Sequence, residues 1–129
     1  MHSTSYIELS KSALQNNMRF LREEFGPEVT ISAVVKGNAY GHGIAEFVPM
    51  AEECGANHFS VFSADEAHLA KQAIKRADMM VMGYADDPAE EWMIENDVSL
   101  FVFEPGRLET ALRFAQKLNR HARVHLEAE

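Results

Sequence analysis

The sequence predicts an α/β protein with a parallel sheet, and the best architectural match is part of a (β/α)8 barrel of the TIM type. Five short runs rich in Val, Ile, Phe or Met alternate with helical patterns, an order typical of βαβ units. The runs are mostly apolar throughout, which suits parallel strands covered on both faces. A doubly wound open sheet is the alternative, because periodicity alone does not separate the two folds.

The predicted strands are four to seven residues long and cover 29–35, 58–62, 79–82, 99–103 and 122–126. A helix over about residues 11–25 precedes them, and Gly26-Pro27 ends it. A complete barrel of this type needs about 250 residues. The 129 residues here supply about five strands of eight, so we expect the chain to be a truncated piece of a longer protein.

Cap signals place the helices between the strands. Ser63 opens a capping box that Glu66 completes. Asp87 and Pro88 supply a cap and a first-turn proline for the next helix. Gly55 is expected just past the end of an apolar helical stripe.

Composition excludes several classes of function. Twelve basic residues against 20 acidic ones give a formal charge of −8, which argues against nucleic-acid binding. The sequence has neither an apolar run long enough for a membrane span nor a signal peptide. Its single cysteine forms no internal disulfide, and its six histidines show no helical zinc spacing. We expect a cytoplasmic protein without a metal.

One segment carries the chemistry, AVVKGNAYGHG at residues 33–43. Lys36 follows an apolar strand, and the carboxyl ends of barrel strands form the active-site face. An uncharged lysine amine can attack an aldehyde and form a Schiff base. Tyr40 offers a hydroxyl to a phosphate, and the glycines allow close approach of a ligand. On these grounds alone, a solvated surface lysine is the commoner interpretation.

This segment is similar to the cofactor-lysine motif of the alanine racemase family, which usually has alanine where Gly37 stands. The resemblance extends along most of the chain. Residues 6–9 (YIEL) look like the family's opening strand, and residues 81–83 (VMG) look like its third barrel strand. Residues 124–126 (VHL) continue the resemblance near the end.

The resemblance implies an enzyme that interconverts L- and D-alanine with pyridoxal 5'-phosphate, by a two-base mechanism. Lys36 would hold the cofactor as an internal aldimine and act as one base. Tyr40 would contact the cofactor phosphate, and Met82 would pack near the cofactor. In the family the other base is a tyrosine from the second domain of the partner subunit in a homodimer. That domain lies outside this chain.

The family pattern also implies a division of the chain. Residues 1–27 would be an N-terminal strand and helix leading into the barrel, and residues 28–129 the first part of the cofactor-binding barrel domain. The family's C-terminal β-domain would be absent. We therefore expect the fragment alone to be inactive.

Glu127 departs from the family pattern. It stands where many members have a lysine that becomes carbamylated and orients an arginine downstream. A glutamate supplies a carboxylate directly, so we hypothesise that Glu127 orients an arginine beyond residue 129. An ordinary surface glutamate is the alternative.

Three functions compete at this point. One is alanine racemase; another is a relative on the same barrel, such as a broad-specificity racemase or an amino-acid decarboxylase. The third is a non-catalytic barrel protein that binds pyridoxal phosphate. The continuation NAYGHG at residues 38–43 favours the racemase over the decarboxylases. Sequence downstream of residue 129 would separate the racemase from the non-catalytic protein, which lacks the second domain.

Overall fold

The computed structural model describes residues 4–128, which form a five-stranded parallel sheet with helices packed along it. The strands are β1 Ser32–Val34, β2 His58–Val61, β3 Asp78–Val81, β4 Ser99–Val102 and β5 Val124–Leu126. The helices are α1 Lys11–Phe25, α2 Lys36–Tyr40, α3 Ile44–Glu53, α4 Ala64–Ala73, α5 Asp87–Glu95 and α6 Pro105–Leu118. All five predicted strands are present, although β1 is shorter than the predicted 29–35.

The strand order identifies the fold. The sheet runs β1-β2-β3-β4-β5, and every neighbouring pair is parallel. A doubly wound sheet reverses its strand order at a switch point, whereas a barrel adds each strand beside the previous one. From α3 to α6 each helix also contacts the next one. The sheet is therefore part of a barrel, and the open-sheet alternative is not supported.

The core lies between the sheet and these helices. One face of the central strands is buried against the helices and consists of large apolar side chains: Phe59, Val61, Met79, Val81, Leu100 and Val102. The opposite face is mixed. It carries the buried Ser60, the partly buried Met80 and Phe101, and Val34, which is 40% exposed. The expectation of two apolar faces therefore holds for one face only.

The helix caps agree with the sequence in part. The Ser63 hydroxyl accepts from the Glu66 N–H at 3.3 Å, as the capping box predicts, but the Glu66 carboxylate binds elsewhere. The cap of α5 is Asp86 instead of Asp87. Asp86 has extended backbone, and its carboxylate accepts from the Ala89 N–H at 3.0 Å. The predicted cap is thus wrong by one position, because Asp87 is already helical.

The predicted opening strand at residues 6–9 is not formed. A strand requires a backbone partner, and none of the five described strands pairs with this segment. The side chains of Tyr6 and Ile7 are 86% and 66% exposed. In the described part of the chain, no helix is long and apolar enough to cross a membrane.

Candidate active site

Lys36 directly follows the last residue that continues the β1 ladder. Val35 is fully buried, and its N–H donates to the Ser60 carbonyl at 2.9 Å. The next side chain, that of Lys36, is partly buried at the carboxyl edge of the sheet. Within residues 4–128, no carboxylate lies within ion-pair distance of its amine. The amine therefore forms no ion pair with a neighbour in this part of the chain.

The lysine leads into a left-handed turn. Gly37, Asn38, Ala39 and Tyr40 have φ of 62°, 53°, 55° and 55°. This region costs a residue with a side chain roughly 1–2 kcal/mol, and such strain concentrates at functional sites. Hydrogen bonds hold the turn. The Ala39 N–H donates to the Val35 carbonyl at 2.8 Å.

Asn38 stabilises the end of the same turn through two hydrogen bonds. Its carbonyl accepts from the Gly43 N–H at 2.9 Å, and its Oδ1 accepts from the Ile44 N–H at 2.9 Å. Ala39 is buried, whereas the Tyr40 side chain is 65% exposed. The turn thus fixes the backbone and leaves the tyrosine ring accessible four residues after the lysine.

Met82 and Gly83 follow the carboxyl end of β3. The Met82 N–H donates to the Val61 carbonyl at 2.9 Å, and the Met82 side chain is partly buried. Gly83 lies against β2, where an added Cβ would be 2.4 Å from the Phe62 carbonyl oxygen. Only glycine permits this approach, so Gly83 fixes where the chain leaves β3.

Glu127 follows the carboxyl end of β5. Its N–H donates to the Val102 carbonyl at 3.2 Å, and its side chain is exposed. The arginine predicted to pair with it is outside the described residues, so this pairing stays a prediction.

The structure thus places the predicted site residues at one edge of the sheet. Lys36, Met82 and Glu127 each follow a parallel strand, and Tyr40 lies in the turn after the first of these. Together they supply a primary amine, a phenol hydroxyl, a thioether and a carboxylate. Residues 4–128 contain no group of three or more His, Cys, Asp or Glu that could hold a metal ion.

An ion-pair cluster that sequence reasoning did not predict lies beside this edge. The Arg107 guanidinium donates to the Ala85 carbonyl at 3.2 Å, to Glu90 at 3.1 Å and to Asp87 at 2.9 Å. It thereby holds the β3–α5 loop against α6. Asp87 and Glu90 lie in the first turn of α5, where the helix N-terminus favours negative charge. The sequence signal for this cluster is Arg107, which lies 17 residues after Glu90 and 20 after Asp87. Local pattern does not connect residues so far apart.

Glu90 is the unusual member of this cluster. Its side chain is 1% exposed, and its Oε1 has no hydrogen-bond partner in the structure. Burial raises the pKa of Glu90, and the nearby Arg107 opposes that rise only in part. The buried carboxylate is therefore incompletely compensated.

The fold and the edge chemistry define a class of protein, one that contains part of a (β/α) barrel and carries at its carboxyl face a lysine without an ion-pair partner within residues 4–128. Comparison with known proteins specifies the family. The sequence model described as "Alanine racemase, N-terminal domain" matches residues 9–129. The chain therefore belongs to the alanine racemase N-terminal domain family.

Individual relatives agree with this assignment. An alanine racemase of Methanococcus maripaludis is 32% identical over 124 residues, which is 96% of this chain and 33% of that protein. One from Listeria monocytogenes is 33% identical over 99% of this chain and 34% of its own length. The crystal structure of alanine racemase from Streptomyces lavendulae matches with a TM-score of 0.81 at 30% identity, covering 92% of this chain and 31% of that one. The chain thus spans about a third of the length of these relatives.

Proposed function

We propose that this chain, as part of a longer polypeptide, forms the cofactor-binding part of an alanine racemase. The observation that carries the proposal is the unpaired Lys36 at the carboxyl edge of the sheet, within a chain of the alanine racemase N-terminal domain family. Because the relatives described above are called alanine racemases, alanine is the substrate we propose. This evidence does not favour a broad-specificity racemase or a non-catalytic barrel protein.

The residues present fit pyridoxal phosphate. Lys36 would supply the amine that holds the cofactor through its aldehyde, and no ion pair within residues 4–128 competes for that amine. Tyr40, 65% exposed in the turn that follows, supplies a hydroxyl for the phosphate. Met82 supplies apolar surface beside it. The amine suits the cofactor aldehyde, and the hydroxyl suits its phosphate.

The protein's own part in the reaction is to move a proton. Pyridoxal phosphate, when bound, withdraws electrons from the substrate Cα and so acidifies its proton. Once the substrate amine has taken its place on the cofactor, the freed Lys36 Nζ would take that proton on one face of the Cα, or return it there in the reverse direction. Racemisation also needs a base on the opposite face. We propose that a tyrosine of the partner subunit in a homodimer supplies it.

We propose that Glu127 contributes to the reaction indirectly, by orienting an arginine. Its exposed carboxylate at the end of β5 is available to an arginine beyond residue 129. In the full-length protein, a Glu127→Gln variant that keeps both its structure and its full activity would exclude this role.

Because the chain supplies one base of two, the 129 residues alone should show no appreciable racemase activity. Full-length protein should show it. A purified fragment that racemises alanine would contradict the two-base assignment.

The test of the proposed function is labelling of Lys36 in the full-length protein. We expect an absorbance band with pyridoxal phosphate that borohydride fixes, and peptide mapping that locates the label on Lys36. No band, or a label on another residue, would overturn the proposal.

A further inference from the structure

Glu66 joins the ends of the first two strands through a single carboxylate. Its Oε1 accepts from the Gly37 N–H at 2.6 Å, and its Oε2 accepts from the Phe62 N–H at 3.0 Å. Gly37 lies just beyond β1, whereas Phe62 lies just beyond β2. One side chain therefore bridges the two points at which the chain leaves the sheet.

The carboxylate takes the place of the regular ladder. The Val35 N–H donates to the Ser60 carbonyl, so the next parallel bond would run from the Phe62 N–H to the Val35 carbonyl. The Val35 carbonyl instead accepts from the Ala39 N–H of the left-handed turn, at 2.8 Å. Because the Val35 carbonyl is bonded to Ala39, the Phe62 N–H has no partner in the ladder, and the Glu66 carboxylate accepts its hydrogen bond instead. The bridge thus permits β1 to depart into the lysine turn without an orphaned donor.

Glu66 is itself firmly placed. It lies in the first turn of α4, where its own N–H is capped by the Ser63 hydroxyl. The helix N-terminus favours a negative charge at this position. Ala67 and Ala70 are fully buried, so they anchor the same helix against the core.

The bridge acts on the lysine through the backbone. The Gly37 nitrogen belongs to the peptide bond that joins Lys36 to Gly37, so fixing this amide fixes the Lys36 main chain. It also fixes the first residue of the left-handed turn. A bond between a charged acceptor and an amide is stronger than a neutral one.

We propose that Glu66 is a positioning residue, which holds the peptide after Lys36 so that the lysine amine and Tyr40 are set for pyridoxal phosphate. The proposal rests on the proposed function, since it needs Lys36 to carry that cofactor. Within residues 4–128, the Glu66 carboxylate forms no bond with the Lys36 amine and acts on it only through the backbone.

The test compares Glu66→Gln with Asp65→Asn in the full-length protein. Both variants remove one carboxylate from the first turn of α4, but Asp65 is exposed and bridges nothing. The glutamine amide NH2 is a donor, so Gln cannot accept from both backbone amides. A second variant, Glu66→Asp, keeps the charge but is one methylene too short to span them.

Two measurements on these variants decide the matter. One is hydrogen exchange of peptides over residues 36–43 in the cofactor-free protein; the other is the Kd for pyridoxal phosphate. Both Glu66 variants should exchange faster and bind the cofactor about tenfold more weakly or worse, while Asp65→Asn matches wild type. If either folded Glu66 variant matches Asp65→Asn in both measurements, the positioning role is overturned.

The same data separate this inference from the proposed function. If wild-type protein fails to form a borohydride-fixed label on Lys36, the proposed function fails, and with it the positioning role towards the cofactor. If wild type is labelled and a folded Glu66 variant matches Asp65→Asn in both exchange and cofactor binding, only the positioning role fails.

Discussion

The candidate chemical groups at the carboxyl edge of the sheet differ from the polar side chains at its amino edge in having no partners within residues 4–128. At the amino edge, Asp78 pairs with both Arg123 nitrogens at 2.9 and 3.1 Å, and His58 Nδ1 lies 2.7 Å from the Ser32 hydroxyl. At the carboxyl edge, the side chains of Lys36, Tyr40 and Glu127 form no hydrogen bond or ion pair within residues 4–128. The amino edge is built for stability, and the carboxyl edge keeps its chemical groups available, as barrels generally do.

Glu52 shows how complete the pairing at the amino edge is. Its Oε1 accepts from the N–H groups of Arg76 and Ala77, both at 2.7 Å, and its Oε2 accepts from that of Lys75 at 3.1 Å. Burial alone would raise the pKa of Glu52, but these three backbone donors outweigh burial and lower it. The carboxylate thus ties α3 to the loop before β3.

The largest contrast should come from removing one lysine at each edge. In the full-length protein, Lys36→Ala should lower the racemisation rate by roughly 10³-fold or more, because a base and the cofactor attachment are lost together. The exposed Lys75 near the amino edge is the control, and Lys75→Ala should keep the wild-type rate. Circular dichroism would verify folding. A fully active Lys36→Ala enzyme would refute the functional assignment of the carboxyl edge.

A second change tests how rigid the carboxyl edge is. Gly83→Ala places a Cβ 2.4 Å from the Phe62 carbonyl oxygen and should cost about 3 kcal/mol of unfolding free energy. Gly106→Ala is the matched control, since a Cβ there has nothing within 4 Å and should change stability by about 0.5 kcal/mol or less. Denaturant titrations of the two variants would measure this difference. If both variants changed the unfolding free energy equally, the carboxyl edge would be shown to shift and make room for the added Cβ at residue 83.

Glu52→Gln tests the amino edge. The variant should lose about 2 kcal/mol at neutral pH, because the amide cannot accept every bond of the charged group. The lowered pKa means that this stabilisation is fully present above the ordinary value of 4.5 and is lost as pH falls through the folded pKa. Denaturation across the acid range should therefore show wild type and variant converging.

The neighbouring Glu53 provides the control for that experiment. It forms an exposed ion pair with Lys11, and both side chains are 56% exposed. Exposed pairs contribute little, so Glu53→Gln should leave stability nearly unchanged. A loss as large as that of Glu52→Gln would mean that the backbone bonds are not the cause.

The smallest effect is expected at Glu90, with the opposite dependence on pH. Glu90→Gln removes an ion pair with Arg107 but also a buried charge, so the net change should stay within about 1 kcal/mol. The raised pKa means that the stability Glu90 contributes is present below 4.5 and is lost as pH rises through the folded pKa. Relative to the variant, wild type should become less stable between acid and neutral pH. If wild type instead became more stable relative to the variant as pH rises, as expected for Glu52, the incomplete pairing of Glu90 would be contradicted.

Much of the fold follows from local pattern. The bounds of α1 and the Ser63 cap are set by apolar spacing and short-range hydrogen bonds, and the five strands were located by their apolar runs. The one-residue error at α5 arose because two consecutive aspartates can each serve as a cap. The strand expected at residues 6–9 came from the family resemblance alone, and it is not formed because a strand needs a backbone partner, which residues 4–128 do not supply.

The candidate site was predictable to a different degree. Lys36 was located by a strand running into a glycine-rich segment, and the family resemblance gave it a role. The left-handed conformation of Asn38 and Ala39 was not predictable, because neither is a residue that requires positive φ. Glu66 was recognised only as a helix cap, because its bond to Gly37 spans 29 residues of sequence.

The strand order also bears on how the molecule is made. Each strand pairs with the one that follows it in the chain, so synthesis can extend the sheet one βα unit at a time. The lysine turn, β2 and the start of α4 occupy one continuous stretch from residue 32 to residue 66. The parts that hold the lysine in place can thus assemble before β3 has left the ribosome.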